Sequence, residues 1–304
     1  MNDMVLDILK HCTLCPRECS TDRTSGELGF CQSSFTVKAA RAALHFWEEP
    51  CLSAKAGSGA VFFSSCTLKC VFCQNYHIST LKNGQEISIK RLSDIFLNLQ
   101  KQEALNINLV TPTHFVPQII EALDIAKNNG LSLPIIYNSS GYEKISTIQM
   151  LKGYIDIYLP DFKYYDDALA LKYSNALNYR QYALAALQEM VKQVDKTSFD
   201  KNGVMTKGVM VRHMLLPTHL DDSKKVLDML FAVFDNDIYY SLMSQYTPLP
   251  LFDKFAELQN KVKKKDYQVL VDHAISLGIT NGFVQQKQAA KESFIPLFDN
   301  TGIN

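Results

Sequence analysis

The chain has 304 residues, 47% of them hydrophobic, which is enough for one large core or two modest ones. It carries 31 basic and 31 acidic residues, a balance that excludes the electrostatic footprint of a nucleic-acid or anionic-membrane binder. No run of about 18 apolar residues occurs, and the N-terminal MNDMVLDILKHC lacks a basic segment ahead of a long apolar core. Neither a membrane span nor a secretory signal is expected, and the cytoplasm is the expected compartment.

Residues 1–55 read as a Cys-rich N-terminal extension of weak periodicity, followed by one large unit over 56–304. The extension holds Cys12-x2-Cys15-x3-Cys19-x11-Cys31, a complete four-ligand set. In a reducing compartment such clusters point to metal rather than disulfides. Four thiolates can close a zinc site or hold a saturated iron–sulfur cluster, and the spacing does not choose between them. Arg17 and Arg23 could offset the negative charge of such a site. Cys51 stands apart and reads as an unassigned buried thiol. His45, Glu48 and Glu49 precede the first expected barrel strand, where they could reach substrate space or form a solvated charged turn.

Short apolar runs then alternate with helical patterns, the sign of βα units and a mainly parallel sheet. The expected strands are 60–65, 106–110, 134–138, 154–159, 209–216 and 238–243, with GFVQQ (282–286) flanking or closing the sheet. Helical periodicity covers 88–104, with Leu92, Ile95, Phe96 and Leu99 inward, and 116–129, with Ile119, Ile120, Leu123 and Ile125 or Ala126 inward. Gly130 follows as a C-cap, and two more helices are expected over 178–194 and 223–234. The basic run Lys261–Lys265 reads as the solvated first turns of a helix. The prediction is an α/β fold, a partial (βα)6 TIM-like barrel with its site at the C-terminal strand ends.

Directly after the first barrel strand comes Cys66-Thr-Leu-Lys-Cys70-Val-Phe-Cys73. Three thiolates on so short a loop can hold three corners of a [4Fe–4S] cube and leave the fourth iron open for a chelating ligand. The competing reading is zinc, with His77 as fourth ligand.

With its C-x3-C-x-aromatic-C signature, the chain resembles the radical S-adenosylmethionine superfamily. More narrowly it is similar to the iron–sulfur proteins related to pyruvate formate-lyase activating enzyme, including the radical members of AmmeMemoRadiSam operons. That likeness is carried by the four extension cysteines with Arg23, Gly26 and Gly29, by His45–Pro50 (HFWEEP), Cys73-Gln-Asn75, Asn106–His114 (NINLVTPTH) and Tyr158–Tyr164 (YLPDFKY). The resemblance implies reductive cleavage of S-adenosylmethionine to a 5′-deoxyadenosyl radical that abstracts hydrogen. It further implies a reductant such as flavodoxin or ferredoxin, and a glycyl-radical enzyme or other protein substrate as partner.

The family's Gly-Gly-Glu segment, which receives the methionine amino group, is here Thr111-Pro112-Thr113, so backbone carbonyls or the Thr111 and Thr113 hydroxyls would take its place. Asn138 and Ser139, opening Asn138-Ser139-Ser140-Gly141, stand where related activases place ribose- and cation-contacting groups. Asp161 and Lys163 follow the fourth strand, where the lysine can pair with the methionine carboxylate. Arg212 is costly to bury unpaired, so it is expected to face the barrel mouth and a carboxylate, or else to form a structural ion pair. Tyr246 is expected to pack on adenine or in the core. His213, His219 and His273 have no evident partners. Three functions follow: an activase acting on a protein glycine, a radical enzyme for a small molecule, and a zinc-stabilised binding protein without redox chemistry.

Overall fold

The computed structural model describes residues 3–248, 254–284 and 296–303. Its elements begin with α1 (Asp3–Lys10), β1 (Val37–His45), α2 (Pro50–Ser53), β2 (Ser58–Phe63), α3 (Tyr76–Ser79), β3 (Gln85–Ile87) and α4 (Ile89–Lys101). There follow β4 (Ile107–Val110), α5 (Val116–Asn128), β5 (Ile135–Ser139), α6 (Ile145–Met150), β6 (Ile157–Pro160), α7 (Asp167–Ser174) and α8 (Tyr179–Val194). The chain continues through β7 (Ser198–Phe199), β8 (Met205–Met214), α9 (Leu220–Phe234), β9 (Tyr239–Met243), α10 (Lys264–Leu277) and β10 (Gly282–Val284).

Strands β2, β4, β5, β6, β8, β9 and β10 lie side by side in that order, all parallel. On the β2 side, β1 adds antiparallel and β3 pairs antiparallel with β1, so the sheet stays open between β3 and β10. Every residue of β2, β4, β5 and β6 is buried, as a parallel sheet covered by helices on one face and lining an interior on the other requires. The six expected βα repeats are therefore present in an open, partial barrel. GFVQQ supplies β10, with residues 285 and 286 outside the described residues. Among the described residues no helix is long and apolar enough to cross a membrane.

The helices follow their periodicity closely. Ser88 caps α4 by accepting the Arg91 N–H at 3.0 Å, and Leu92, Ile95, Phe96 and Leu99 are all buried. In α5 the buried stripe is Ile119, Ala122, Leu123 and Ala126, whereas Ile120 and Ile125 are half-buried. The i, i+3, i+4, i+7 spacing fixes that stripe and turns Ile120 to its flank. The basic run meets its expected place in part: Lys264 and Lys265 open α10 and are exposed, Lys263 is its N-cap, and Lys261 lies ahead of the helix.

β1 falls inside the segment 1–55 yet belongs to the barrel sheet, leaving residues up to 36 as the leader. Its buried positions include Ala39, Ala40 and Ala42, side chains too small to give a strong alternating signal. The leader docks on the C-terminal ends of the strands. Thr147 Oγ1 donates to the Leu14 carbonyl at 2.6 Å, Gln118 Nε2 donates to the Phe35 carbonyl at 2.6 Å, and Lys144 pairs with Glu18 at 2.5 Å. At the other terminus, Thr301 and Asn300 bond the backbone of Ala42 and Ala40 in β1, and Ile303 is buried.

Two left-handed glycines test how tightly the strand ends are packed. Gly130 (φ +93°) follows α5, and a Cβ there would meet open space. Gly141 (φ +75°) lies after β5, and a Cβ there would run into the carbonyl oxygen of Asp161. Gly130→Ala should cost about 1–2 kcal/mol, the strain of an L-residue in that region. Gly141→Ala should lower the urea midpoint clearly further, and equal midpoints for the two variants would show that the approach of Gly141 to Asp161 relaxes at little cost.

Candidate active site

Past β2 the backbone takes positive φ at Ser65 (+78°) and Lys69 (+57°), which folds Cys66–Cys73 into a compact loop over the strand ends. Val71 N–H bonds the Tyr173 carbonyl at 2.9 Å, and buried Phe72 packs against Tyr164 and Tyr246 at 6.4 and 6.3 Å between ring centroids. All three cysteines line a cavity of about 540 Å³. Each sulfur accepts its own hydrogen bond: Cys66 from Leu68 N–H at 3.3 Å, Cys70 from Ser174 Oγ at 2.9 Å, and Cys73 from Ser79 Oγ at 3.3 Å.

Asp161 and Lys163 reach the same cavity from the end of β6, with Lys163 Nζ 2.5 Å from Asp161 Oδ2. Burial alone would lower the lysine, but the Asp161 carboxylate, then Cys70, outweigh it and raise it above its ordinary value. Tyr179 fixes this turn: its hydroxyl accepts the Lys163 N–H at 2.9 Å and lies 2.9 Å from the Ser140 carbonyl oxygen. Thr111, Asn138 and Arg212 also line the cavity.

Thr113, Ser139 and Tyr246, expected among the cofactor contacts, lie behind the wall. Thr113 Oγ1 is buried and donates to Glu143 at 2.6 Å; Ser139 Oγ accepts the Gly141 N–H at 3.2 Å; Tyr246 OH donates to the Leu258 carbonyl at 2.5 Å. Alternation along the chain explains Ser139: with Asn138 turned into the cavity its neighbour turns away, and Ser140 is the next residue to face in. Ser140 Oγ is buried without a hydrogen-bond partner among the described residues. The sequence offered Ser140 in the same segment but gave no register to single it out.

Arg212 sits beside Asp161, its bridge partner on the neighbouring strand, and its guanidinium forms a structural ion pair with two glutamates. Nε lies 2.8 Å from Glu49 Oε1 and Nη2 lies 2.5 Å from Glu49 Oε2, while Nη2 also bonds Glu48, whose Oε1 accepts Asn108 Nδ2 at 2.8 Å. Burial would raise the Glu49 carboxyl, but Arg212 outweighs it and holds it below its ordinary value. Glu48 and Glu49 are thus buried partners of Arg212 rather than a solvated turn. His77 is exposed on α3 and is not among the residues lining the cavity. His213 Nδ1 meets the Phe162 carbonyl oxygen at 2.7 Å, His219 meets Tyr173 OH at 2.9 Å, and His273 meets Asp228 at 2.7 Å.

In the leader, Cys12, Cys15, Cys19 and Cys31 line one small cavity with Thr21, Arg23 and His114. Arg23 is 1% exposed and donates to the Ser34 carbonyl at 2.7 and 3.2 Å and to Cys12 Sγ at 3.8 Å. A Cβ at Gly29 would sit 2.9 Å from Cys19 Sγ, so a side chain would crowd the sulfurs. Cys51 lies elsewhere, buried among Ile136, Ile157 and Met210, with its thiol pushed up to about 12 chiefly by burial. Arg17 ties the leader to the Cys66–Cys73 loop: stacked 3.8 Å over Phe30, it bonds the carbonyls of Thr67 at 2.9 Å, Ser174 at 3.1 Å and Asn175.

The donor sets suit metal-bound sulfur. Burial pushes Cys70 up to about 12 and raises Cys73 and Cys15, so these groups stay neutral thiols unless a metal takes the place of the proton. Donors already aimed at the three sulfurs of the loop match a thiolate's need. Among the described residues no three His, Cys, Asp or Glu side chains converge on one ion. A cube does not require that, since each thiolate binds a different iron.

Residues 60–230, more than half of the chain, match the family model described as the Radical SAM superfamily. Uncharacterized protein MJ0674 of Methanocaldococcus jannaschii is 26% identical over 284 residues, 90% of this chain and 76% of that one. In fold the chain is similar to a radical SAM methyltransferase from Sphaerobacter thermophilus, at TM-score 0.54 and 13% identity over 77% of this chain and 67% of that one. It is likewise similar to methylornithine synthase, at TM-score 0.51 and 12% identity over 78% and 68% of the two chains. The family uses a [4Fe–4S] cluster, S-adenosylmethionine and an external reductant, which sets aside the reading of a zinc-stabilised binding protein. By the match across its barrel and by the fold it shares, this chain belongs to the radical S-adenosylmethionine superfamily.

Proposed function

We propose that the chain is an activase-type radical enzyme in which Cys66, Cys70 and Cys73 hold the [4Fe–4S] cluster and the radical abstracts hydrogen from a protein glycine or similar backbone position. The observation that carries the site is the meeting of three hydrogen-bonded sulfurs with the Asp161–Lys163 pair in one cavity. When bound, the cluster supplies the electron that breaks the sulfonium C–S bond of S-adenosylmethionine. The protein's part is to orient and to exclude water. Lys163 receives the methionine carboxylate, Asp161 the amino group, and Asn138 and Thr111 complete the polar wall. Exposed Phe46 and Trp47 at the cavity rim (48% and 61%) favour a substrate presented by another chain over a small molecule. A flavodoxin or ferredoxin serves as the reductant, and the leader cysteines bind a separate metal, zinc or a second cluster.

Assay of the anaerobically reconstituted enzyme for 5′-deoxyadenosine, with and without candidate glycyl-radical proteins, tests the reading. Replacing Cys66, Cys70 or Cys73 singly by Ala should abolish 5′-deoxyadenosine, because a cube held at two corners is labile. Near-normal cleavage in any one of the three variants would defeat the ligand assignment.

Lys163→Met keeps the stem and removes the charge. A charge-assisted hydrogen bond is worth roughly 1.5–3 kcal/mol, so S-adenosylmethionine affinity should fall about ten- to a hundredfold at unchanged iron content. Equilibrium binding at wild-type strength would show that Lys163 does not touch the cofactor.

A further inference from the structure

His114 lies on the Thr113–Phe115 turn after β4, 1% exposed, and lines the leader cavity beside the four cysteines. Its Nε2 is 2.8 Å from the carbonyl oxygen of Ser64. A carbonyl only accepts, so Nε2 carries the proton, and Nδ1 of the neutral ring carries a lone pair. Among the described residues, Nδ1 and the neighbouring Thr21 Oγ1 are buried without hydrogen-bond partners. Leaving such a nitrogen unmatched is costly, and the site therefore calls for an electron-pair acceptor.

Arg23 is a second and independent observation. Its buried guanidinium meets carbonyl oxygen and Cys12 sulfur, with no carboxylate ion pair among the described residues. A buried cation requires an anionic counterpart. The cysteines supply one only as thiolates, the state that metal binding enforces.

The geometry points to a leader metal centre in which Nδ1 of His114 is a ligand alongside cysteine thiolates, so that the metal joins the leader to the barrel. This rests on the reading above that the leader binds metal. Iron of a sulfide-bridged cluster accepts mixed thiolate and imidazole donors without three of them meeting at one ion, which no three side chains among the described residues do. Such a cluster offers four positions, so binding through His114 leaves one of the four thiols outside the ligand set. The same imidazole holds Ser64, two residues before Cys66, and Arg17 holds Thr67. The centre thus braces the start of the Cys66–Cys73 loop.

The test compares full-length wild type, His114→Gln and His114→Cys, each reconstituted anaerobically with ferrous iron and sulfide or supplied with zinc. Gln keeps an N–H for Ser64 and removes the imidazole nitrogen; Cys offers a substitute ligand. The expected result is metal beyond four irons per chain in wild type, leader-metal affinity lowered at least about tenfold in His114→Gln, and recovery in His114→Cys. Circular dichroism checks the fold. Should both variants misfold, 15N-histidine labelling of wild type decides, through the nitrogen hyperfine coupling of an iron or cobalt(II)-substituted centre. Leader metal held equally by His114→Gln, or absence of that coupling, overturns the assignment of His114 alone. Wild type with four irons and no zinc overturns the leader-metal reading, and this inference with it.

Discussion

Three sulfurs must face one cavity while each keeps a protein donor, and the loop from Cys66 to Cys73 meets this condition with two local donors and one distant in sequence. Leu68 N–H lies within the loop and Ser79 on α3 just after it, but Ser174 comes from the end of α7. The loop is sewn to α7 by Val71 and wedged by Phe72 between Tyr164 and Tyr246. Ser65 and Lys69 hold left-handed backbone conformations that cost free energy and persist only because these contacts over-determine them.

The cavity divides its charge. Asp161 and Lys163 form a compact pair near the sulfurs, and Arg212, on the strand next to Asp161, serves both Glu48 and Glu49. Buried ion pairs add little net stability, since desolvation offsets much of their attraction. Their effect here is positional: they hold charged groups at fixed points on the cavity wall.

The leader is wired into this arrangement. Arg17 grips the carbonyl of Ser174, whose hydroxyl donates to Cys70, and also that of Thr67 inside the loop. His114 reaches from the leader cavity to Ser64. The leader therefore touches the three-cysteine loop directly, through Arg17 on Thr67 and Phe30 beneath Lys69, as well as the barrel around it.

The sequence by itself determined the parallel strands, because strands buried on both faces are mainly apolar, as in β2, β4, β5 and β6, whose polar residues are few. It determined the three-cysteine loop, since ligands close in sequence carry their geometry in their spacing. It also placed Asp161 and Lys163 together, because residues two apart on an extended chain share a side. Tertiary structure alone decided the rest. Whether Ser139 or Ser140 faces inward depends on register at the strand end. That Glu48 and Glu49 belong to Arg212 depends on a pairing across more than 160 positions. His114 joins the leader cysteines by folding across more than 80 residues, and no local pattern marks such a meeting, because a single side chain leaves no periodicity in the chain that carries it.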